Sequence, residues 1–327
     1  MKIIICKTHE IKTEYWGGII DGFVKNFGIN KDVKAFSEYY QRTILGYSYH
    51  SIALNDEEIV IGYNSLLPTV YRNKKGLDIL VGVSGGTFVV NEFRKDIFIL
   101  YDMSLALLEY TSKENMIATI GVSNENSFQY ALKFLDATLI SFLNYYALPV
   151  RVFNALKIRK IASLNFISVL AVKLIIWINI LLTKAFNGFE KEVQFELKTD
   201  ESFFNNRFSS SRYLKIKQNN VTAYYSVVSE EGIRTVYLLD FRQGEKRTFK
   251  SLVTSVKYLI ENEKPDLILF IGHLRLKQFL LFRVPRRFEP QKLPLTFNIT
   301  SEKFISYFQS MSDDNNWNFG LMNFDAR

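Results

Sequence analysis

Only a handful of residues in this chain carry chemistry by type alone. Cys6 is the one cysteine, and His9, His50 and His273 are the three histidines. No two of them stand at a metal-ligand spacing, which argues against a zinc centre, an iron–sulfur cluster or a disulfide framework. His50, in Gly46-Tyr47-Ser48-Tyr49-His50 just ahead of a strand, is the imidazole placed to act as a base, because it titrates near neutrality. The competing reading is a structural loop histidine. Glu125, after a strand end, is a second candidate base, and the same position suits an acidic residue opening a helix. Arg94-Lys95 is a cationic pair suited to phosphate, and Arg283, Arg286 and Arg287 around Pro285 offer either a phosphate clamp or a solvated cluster. His9 and His273 read as structural, and Cys6 as a small core residue of the first strand.

The elements that must position these residues alternate in type. Apolar spacing gives helices over Trp16–Phe27 and Val33–Ile44. Short strands at 51–54 and 59–63 flank the acidic turn Asn55-Asp56-Glu57-Glu58, and further strands follow at 69–72 and 77–84. Gly85-Gly86 then interrupts a strand pattern that resumes at Thr87-Phe88-Val89-Val90, the signature of a bulge or a close backbone approach. A helix over Ile97–Tyr110, a buried strand over Met116–Val122 and a helix over Ser127–Leu135 complete the first half. The second half repeats the plan more loosely, with strands at 213–217, 221–228, 235–240 and 267–271 and a helix over Thr248–Glu261. The fold class is therefore α/β with mixed sheets, in two similar half-domains: 1–150, a helical linker 151–190, and 191–327.

Length and composition agree with that division. The chain has 327 residues, more than one core usually needs, and 48% hydrophobic residues exclude a disordered chain. A net charge of +8 suits anionic partners, but lysines and arginines are scattered without a nucleic-acid motif, so no nucleic acid is expected. The N-terminal apolar run reads as a strand rather than a signal peptide, which makes the cytoplasm the expected compartment. The apolar segment Ile161–Phe186 complicates this, with Lys173 at its middle and Arg151, Lys157, Arg159 and Lys160 ahead of it. Three readings stay open: a helix packed between domains, an interfacial helix making peripheral membrane contact, and a membrane span.

Two stretches carry a family likeness. Phe93-Arg94-Lys95-Asp96-Ile97-Phe98 follows a strand and opens a helix. Gly121-Val122-Ser123-Asn124-Glu125-Asn126-Ser127 ends a strand, and Leu132-Lys133-Phe134-Leu135-Asp136 closes the next helix. Here the chain resembles the GNAT superfamily of acyl-CoA-dependent N-acyltransferases. The closing Trp317-Asn318-Phe319-Gly320-Leu321-Met322-Asn323-Phe324-Asp325 is similar to C-termini of tandem-GNAT proteins of surface-glycan biosynthesis. The likeness covers about residues 35–145 and rests mainly on element order over 190–327.

The resemblance implies a slot between two parting strands that holds acetyl-CoA or another acyl-CoA. Amides of Phe88, Val89 and Val90 would bind the pantetheine, Asn124 and Asn126 would reach it from the next strand, and Arg94 and Lys95 would meet the phosphates. Glu125 or His50 would take the proton of a small-molecule amine acceptor, such as a nucleotide-linked amino sugar. The family's two turn glycines are absent, and Asp96 brings a carboxylate to a polyanionic ligand, which predicts weakened binding. Leu132 stands where many members carry a tyrosine. A catalytically inactive scaffold for glycan assembly and a Fem-type aminoacyltransferase are the alternatives.

Overall fold

The computed structural model describes all residues except 29–31, 186, 187, 209–211 and 325–327; the side chains of Glu125, Asn126 and Arg159 also lie outside the described part. In chain order, β1 (Lys2–Lys7), α1 (Thr13–Phe27) and α2 (Val33–Gln41) lead into β2 (Tyr49–Leu54), β3 (Val60–Asn73), β4 (Asp78–Ser84) and β5 (Phe88–Val89). Then come α3 (Phe98–Lys113), β6 (Met116–Val122), α4 (Glu125–Phe134), β7 (Thr138–Phe142), β8 (Asn144–Pro149), α5 (Val152–Ala155) and α6 (Asn165–Ala185). The remainder is β9 (Phe195–Leu197), α7 (Glu201–Arg207), β10 (Leu214–Gln218), β11 (Val221–Glu230), β12 (Ile233–Gln243) and α8 (Phe249–Glu263). The chain ends through β13 (Leu267–Gly272), β14 (Phe282–Arg283), β15 (Pro294–Ile299) and α9 (Phe308–Ser312).

These elements form two units, each built on a mixed sheet with helices, so the expected α/β class holds. The first unit comprises Met1–Phe142, Gln194–Arg207 and Leu293–Trp317; the second comprises Leu143–Val193, Phe208–Lys292 and Asn318–Arg327. The contiguous division at 150 and 190 is replaced by an interleaved one, for a reason visible in the strand pairing. β15, far along the chain, inserts between β6 and β7 in the first sheet, antiparallel to both. β8 belongs to the second sheet, between β13 and β14. The expected linker helix α6 is likewise part of the second unit, where Val172 and Ile176 are buried on a seam toward α8. Phe186, the last residue of the expected helix, lies outside the described residues.

In the first unit the sheet order is β1-β2-β3-β4-β6-β15-β7, with β5 and β9 also on β3. Helix α3 lays Ile99, Met103 and Leu107 at helical spacing on β2 and β3, meeting Tyr49, Ala53, Ile61 and Leu66 in the core. β3 is one strand where two are expected, because Pro68 falls at a gap in its edge pairing. β2 begins opposite Leu66 and β9 ends opposite Tyr71, which leaves Pro68 in the gap between them, so the missing amide need cost no ladder bond. The second sheet runs β10-β11-β12-β13-β8-β14 and is covered by α8, whose Leu252, Val256 and Leu259 are fully buried.

Candidate active site

The first unit contains the expected parting of strands. β4 and β6 run parallel and pair from Leu80/Met116 to Val83/Ile120. Beyond that point β6 continues along β15 to Val122, opposite Leu295, while the other strand bends through Gly85-Gly86 into β5 and stays on β3. Four steps from Ser84 to Phe88 oppose three from Leu66 to Tyr63, so one extra residue is accommodated and the strand is bulged. The bulge is held from one face by α1: a Cβ on Gly22 would lie 2.0 Å from the Phe88 ring, so only glycine lets the helix come this close.

The amides of β5 divide by direction. Val90 N donates to Ile61 O at 2.9 Å, so its amide is spent on β3. Alternation along the strand turns Phe88 N to the same neighbour and Val89 N away, toward the edge that β6 has left. Of the three amides expected to grip a ligand, Val89 alone is directed for it. Its carbonyl, on the same edge, accepts from Arg94 Nε at 2.9 Å, and Arg94 Nη2 also donates to Asn26 Oδ1 on α1. Arg94 is thereby fixed across the open edge of β5, and Asn26 is a partner that sequence spacing gave no means of finding. Lys95 is exposed beside it.

Next to them stands the start of α3. Asp96 Oδ1 accepts from Phe98 N at 3.0 Å, so the chain's own carboxylate occupies one of the free amides at the helix N-terminus. Phe98 is 62% exposed, an apolar ring left in water at the first turn of α3. Tyr130, midway along α4, donates its hydroxyl to Ile97 O at 2.9 Å and ties that helix to the entry of α3. Burial, then Asp102 and Tyr101, push that phenol up to about 12, so it is protonated at neutral pH.

Asn124 does not reach across the slot. It is the N-cap of α4, its Oδ1 accepting from Ser127 N at 2.9 Å and from the Ser127 hydroxyl at 2.8 Å. Glu125 and Asn126 open α4, and their side chains fall outside the described part of the structure.

His50 is a core group and not a cleft base. Its side chain is fully buried, with Nδ1 2.7 Å from the Tyr63 hydroxyl and Nε2 2.9 Å from Thr8 Oγ1. Tyr40 packs edge-on against it at 4.8 Å. Burial lowers the imidazole pKa from 6.5 to about 3, so it stays neutral. The loop reading fails because Tyr49 and His50 begin β2, opposite Lys7 and Cys6 of β1. Cys6 is buried as expected, its thiol pushed up to about 12 first by burial and then by Glu10.

The second unit repeats the geometry and fills it. β12 and β13 pair over only Thr235–Tyr237 and Leu267–Leu269, and β12 carries a bulge against β11 at Tyr224/Tyr225. One edge of β13 is covered by β8 along its whole length. Beside the other lies the C-terminal segment: Gly320 bridges Gly272, His273 N donates to Phe319 O at 2.8 Å, and Phe319 N donates back to His273 Nδ1 at 3.3 Å. Gly272 has φ +138°, and a Cβ there would lie 2.5 Å from Phe319 O. His273 is thus structural, as expected, and holds the plug.

The N-terminus of α8 is closed as well. Thr248 Oγ1 accepts from Ser251 N at 2.9 Å and Gly188 O from Phe249 N at 2.9 Å. Beneath it, Asp240 accepts from Arg242 Nε and Arg247 Nε, each at 2.6 Å. Burial alone would raise the Asp240 pKa, but the two arginines outweigh it and hold the carboxyl at about 2. Glu190 joins Arg247, the Arg275 amide and Asn318 Nδ2, so the plug is also tied at its first residue. Of the expected arginine cluster, Arg283 donates to Asn144 Oδ1 at 2.7 Å and Arg287 lies 4.7 Å over the Phe288 ring. Among the described residues no group of three metal-ligating side chains occurs.

No family model matches the sequence, and no curated protein matches it. Solved structures do. A GCN5-related N-acetyltransferase from Kribbella flavida is similar with a TM-score of 0.55 at 8% identity, over 91% of this chain and 71% of that one. One from Anabaena variabilis has a TM-score of 0.54 at 8% identity, over 92% and 73%. A conserved protein of Enterococcus faecalis, described as a probable N-acyltransferase, has a TM-score of 0.51 at 12% identity, over 95% and 75%. At these identities the likeness is one of fold: mixed sheets with helices, of the kind found in GCN5-related N-acetyltransferases.

Proposed function

We propose that the chain is an acyl-CoA-dependent N-acyltransferase with one coenzyme site, in the first unit. The observation that carries this reading is the outward amide of Val89 where β6 has parted from β4. The site's chemistry fits the coenzyme: a bulged strand with one free-facing amide, a helix N-terminus, Arg94 and Lys95 for phosphate, and the exposed ring of Phe98 beside them. Asp96 opposes it.

When bound, acyl-CoA supplies an activated acyl thioester, most simply an acetyl group. Val89 N would donate to the acyl carbonyl oxygen, where negative charge develops as the amine adds. Glu125, at the head of α4, is the base to which we assign the amine proton. The new bond is C–N, the broken one C–S, and the proton ends on the departing thiolate. The acceptor we assign is a small amine on a phosphorylated carrier, such as a nucleotide-linked amino sugar used for polysaccharide in the cytoplasm; the +8 charge supports an anionic acceptor.

Calorimetric titration with CoA and acetyl-CoA tests the reading. We expect one molecule bound per chain, and about tenfold or more weaker binding for Val89→Pro, which removes the outward amide but no bond to β3. Binding unaffected by Val89→Pro would place the coenzyme elsewhere. No binding at millimolar CoA would favour the second reading, a non-catalytic scaffold, which the Asp96 carboxylate on Phe98 N supports.

A further inference from the structure

Helix α6 is long, apolar and mostly uncovered. Residues Lys160–Ala185 are long and apolar enough to cross a membrane, yet only 17% of that stretch's apolar window is buried. What is buried is a narrow seam of Asn165, Val172, Ile176 and Asn179, directed into the second unit toward α8. At 100° per residue these four fall on one side of the helix. On the opposite side, Phe166, Leu170, Leu174, Trp177, Ile178 and Leu181 are each between 43% and 60% exposed. A contiguous apolar face of this kind marks an interaction site.

Charge identifies what covers it. Between Arg151 and Phe189 the sequence holds six basic residues and no Asp or Glu; Arg151 and Lys157 pair with Asp266 and Glu231, and Lys160, Lys173 and Lys184 are exposed. Lys173 and Lys184 project from one flank of the apolar face, roughly 50–75° from its centre, where their stems can follow the surface and their ammonium groups can stay in water. Lys173 is thus not buried at the middle of an apolar span; it borders an interfacial stripe. The seam against the folded unit excludes lipid from one side of the helix, as lying on a bilayer requires and crossing one does not. From this we infer that the outer face of α6 docks on the surface of an anionic lipid bilayer, embedding its apolar stripe with the flanking lysines at the headgroups. This goes beyond the acyl-transfer reading and stands without it.

Trp177 supplies the readout, since Trp16 and Trp317 are 5% and 1% exposed and Trp177 is 58% exposed. The full chain is mixed with vesicles of phosphatidylcholine alone or with added phosphatidylglycerol, and flotation and tryptophan emission are followed. We expect flotation with anionic vesicles, a blue-shifted emission quenched by brominated acyl chains, and at least about tenfold less binding to neutral vesicles. The pair Leu170→Asp and Leu174→Asp should abolish flotation while leaving the thermal melt in place, and Lys173→Glu with Lys184→Glu should reduce it about tenfold. No flotation with anionic vesicles overturns the inference, as does equal flotation of the aspartate pair. A dimer in sedimentation that the aspartate pair dissolves would show that a second copy covers the face. Protein that resists carbonate extraction would show a span.

Discussion

Both units of this protein take a βαβ passage, bulge its first strand and let the two parallel strands part, but they treat the resulting edge differently. In the second unit the edge of β13 is met by the chain itself: Phe319 and Gly320 pair with His273 and Gly272, and the head of α8 is capped by Thr248 and Gly188. In the first unit the edge of β5 is met by one side chain, Arg94, and the head of α3 by one carboxylate, Asp96. A parted pair of strands is therefore not in itself a binding site. Backbone groups left by the parting must find partners, and main-chain partners close the second unit's edge for good, whereas a side chain such as Arg94 leaves the first unit's edge open to the ligand we propose for it.

The strongest way to break this comparison is to attack the plug. Gly272→Val puts a β-branched residue at φ +138° and drives its Cβ into Phe319 O and the Gly320 backbone. We expect a loss of about 3 kcal/mol or more, read as a lowered urea midpoint, together with faster amide exchange at 319–323. A variant as stable as the parent would mean that the C-terminal segment is not seated against β13.

A smaller effect distinguishes the core of the first unit by its response to acid. His50 has its folded pKa depressed to about 3 from 6.5, so the fold favours the neutral ring. The stability this gives is fully present above pH 6.5 and is lost as pH falls toward 3, with a slope of up to about 1.4 kcal/mol per pH unit. His50→Gln should cost about 1–3 kcal/mol at neutral pH, through the bonds to Tyr63 and Thr8, and flatten that acid slope. An unchanged slope would assign the acid sensitivity elsewhere.

The sequence shows local features of this architecture well and long-range ones poorly. The helices at α1, α3 and α8 and the glycine interruption at 85–86 are legible because amphipathic period and turn chemistry are local. The interleaving is not, since nothing in Pro294–Ile299 states that it pairs with Met116–Val122, well over a hundred residues earlier. The site divides along the same line. Arg94 and Asp96 are readable from their place at a helix entry, whereas Asn26 and the distinction between the amides of Val89 and Val90 depend on register. His50 misleads because a polar residue before an apolar run looks like a loop, while here Tyr63 and Thr8 satisfy both its nitrogens inside the sheet.

The finest contrast between the halves is the charge at the helix head. α8 is capped by a neutral hydroxyl and α3 by a carboxylate, so α3 has already spent part of its attraction for anions on Asp96. Asp96→Asn keeps an acceptor for Phe98 N and removes only the charge. A carboxylate near a helix N-terminus is worth about 0.3–1 kcal/mol, so CoA should bind the variant roughly two- to fivefold more tightly at low salt. Because exposed charges are screened within about 8 Å at physiological ionic strength, the gain should shrink as salt is added. The unliganded variant should lose a few tenths of a kcal/mol of stability, the other side of the same interaction. Unchanged affinity at low salt would show that phosphate does not approach the head of α3, leaving the outward amide of Val89 to be explained by a ligand without a diphosphate.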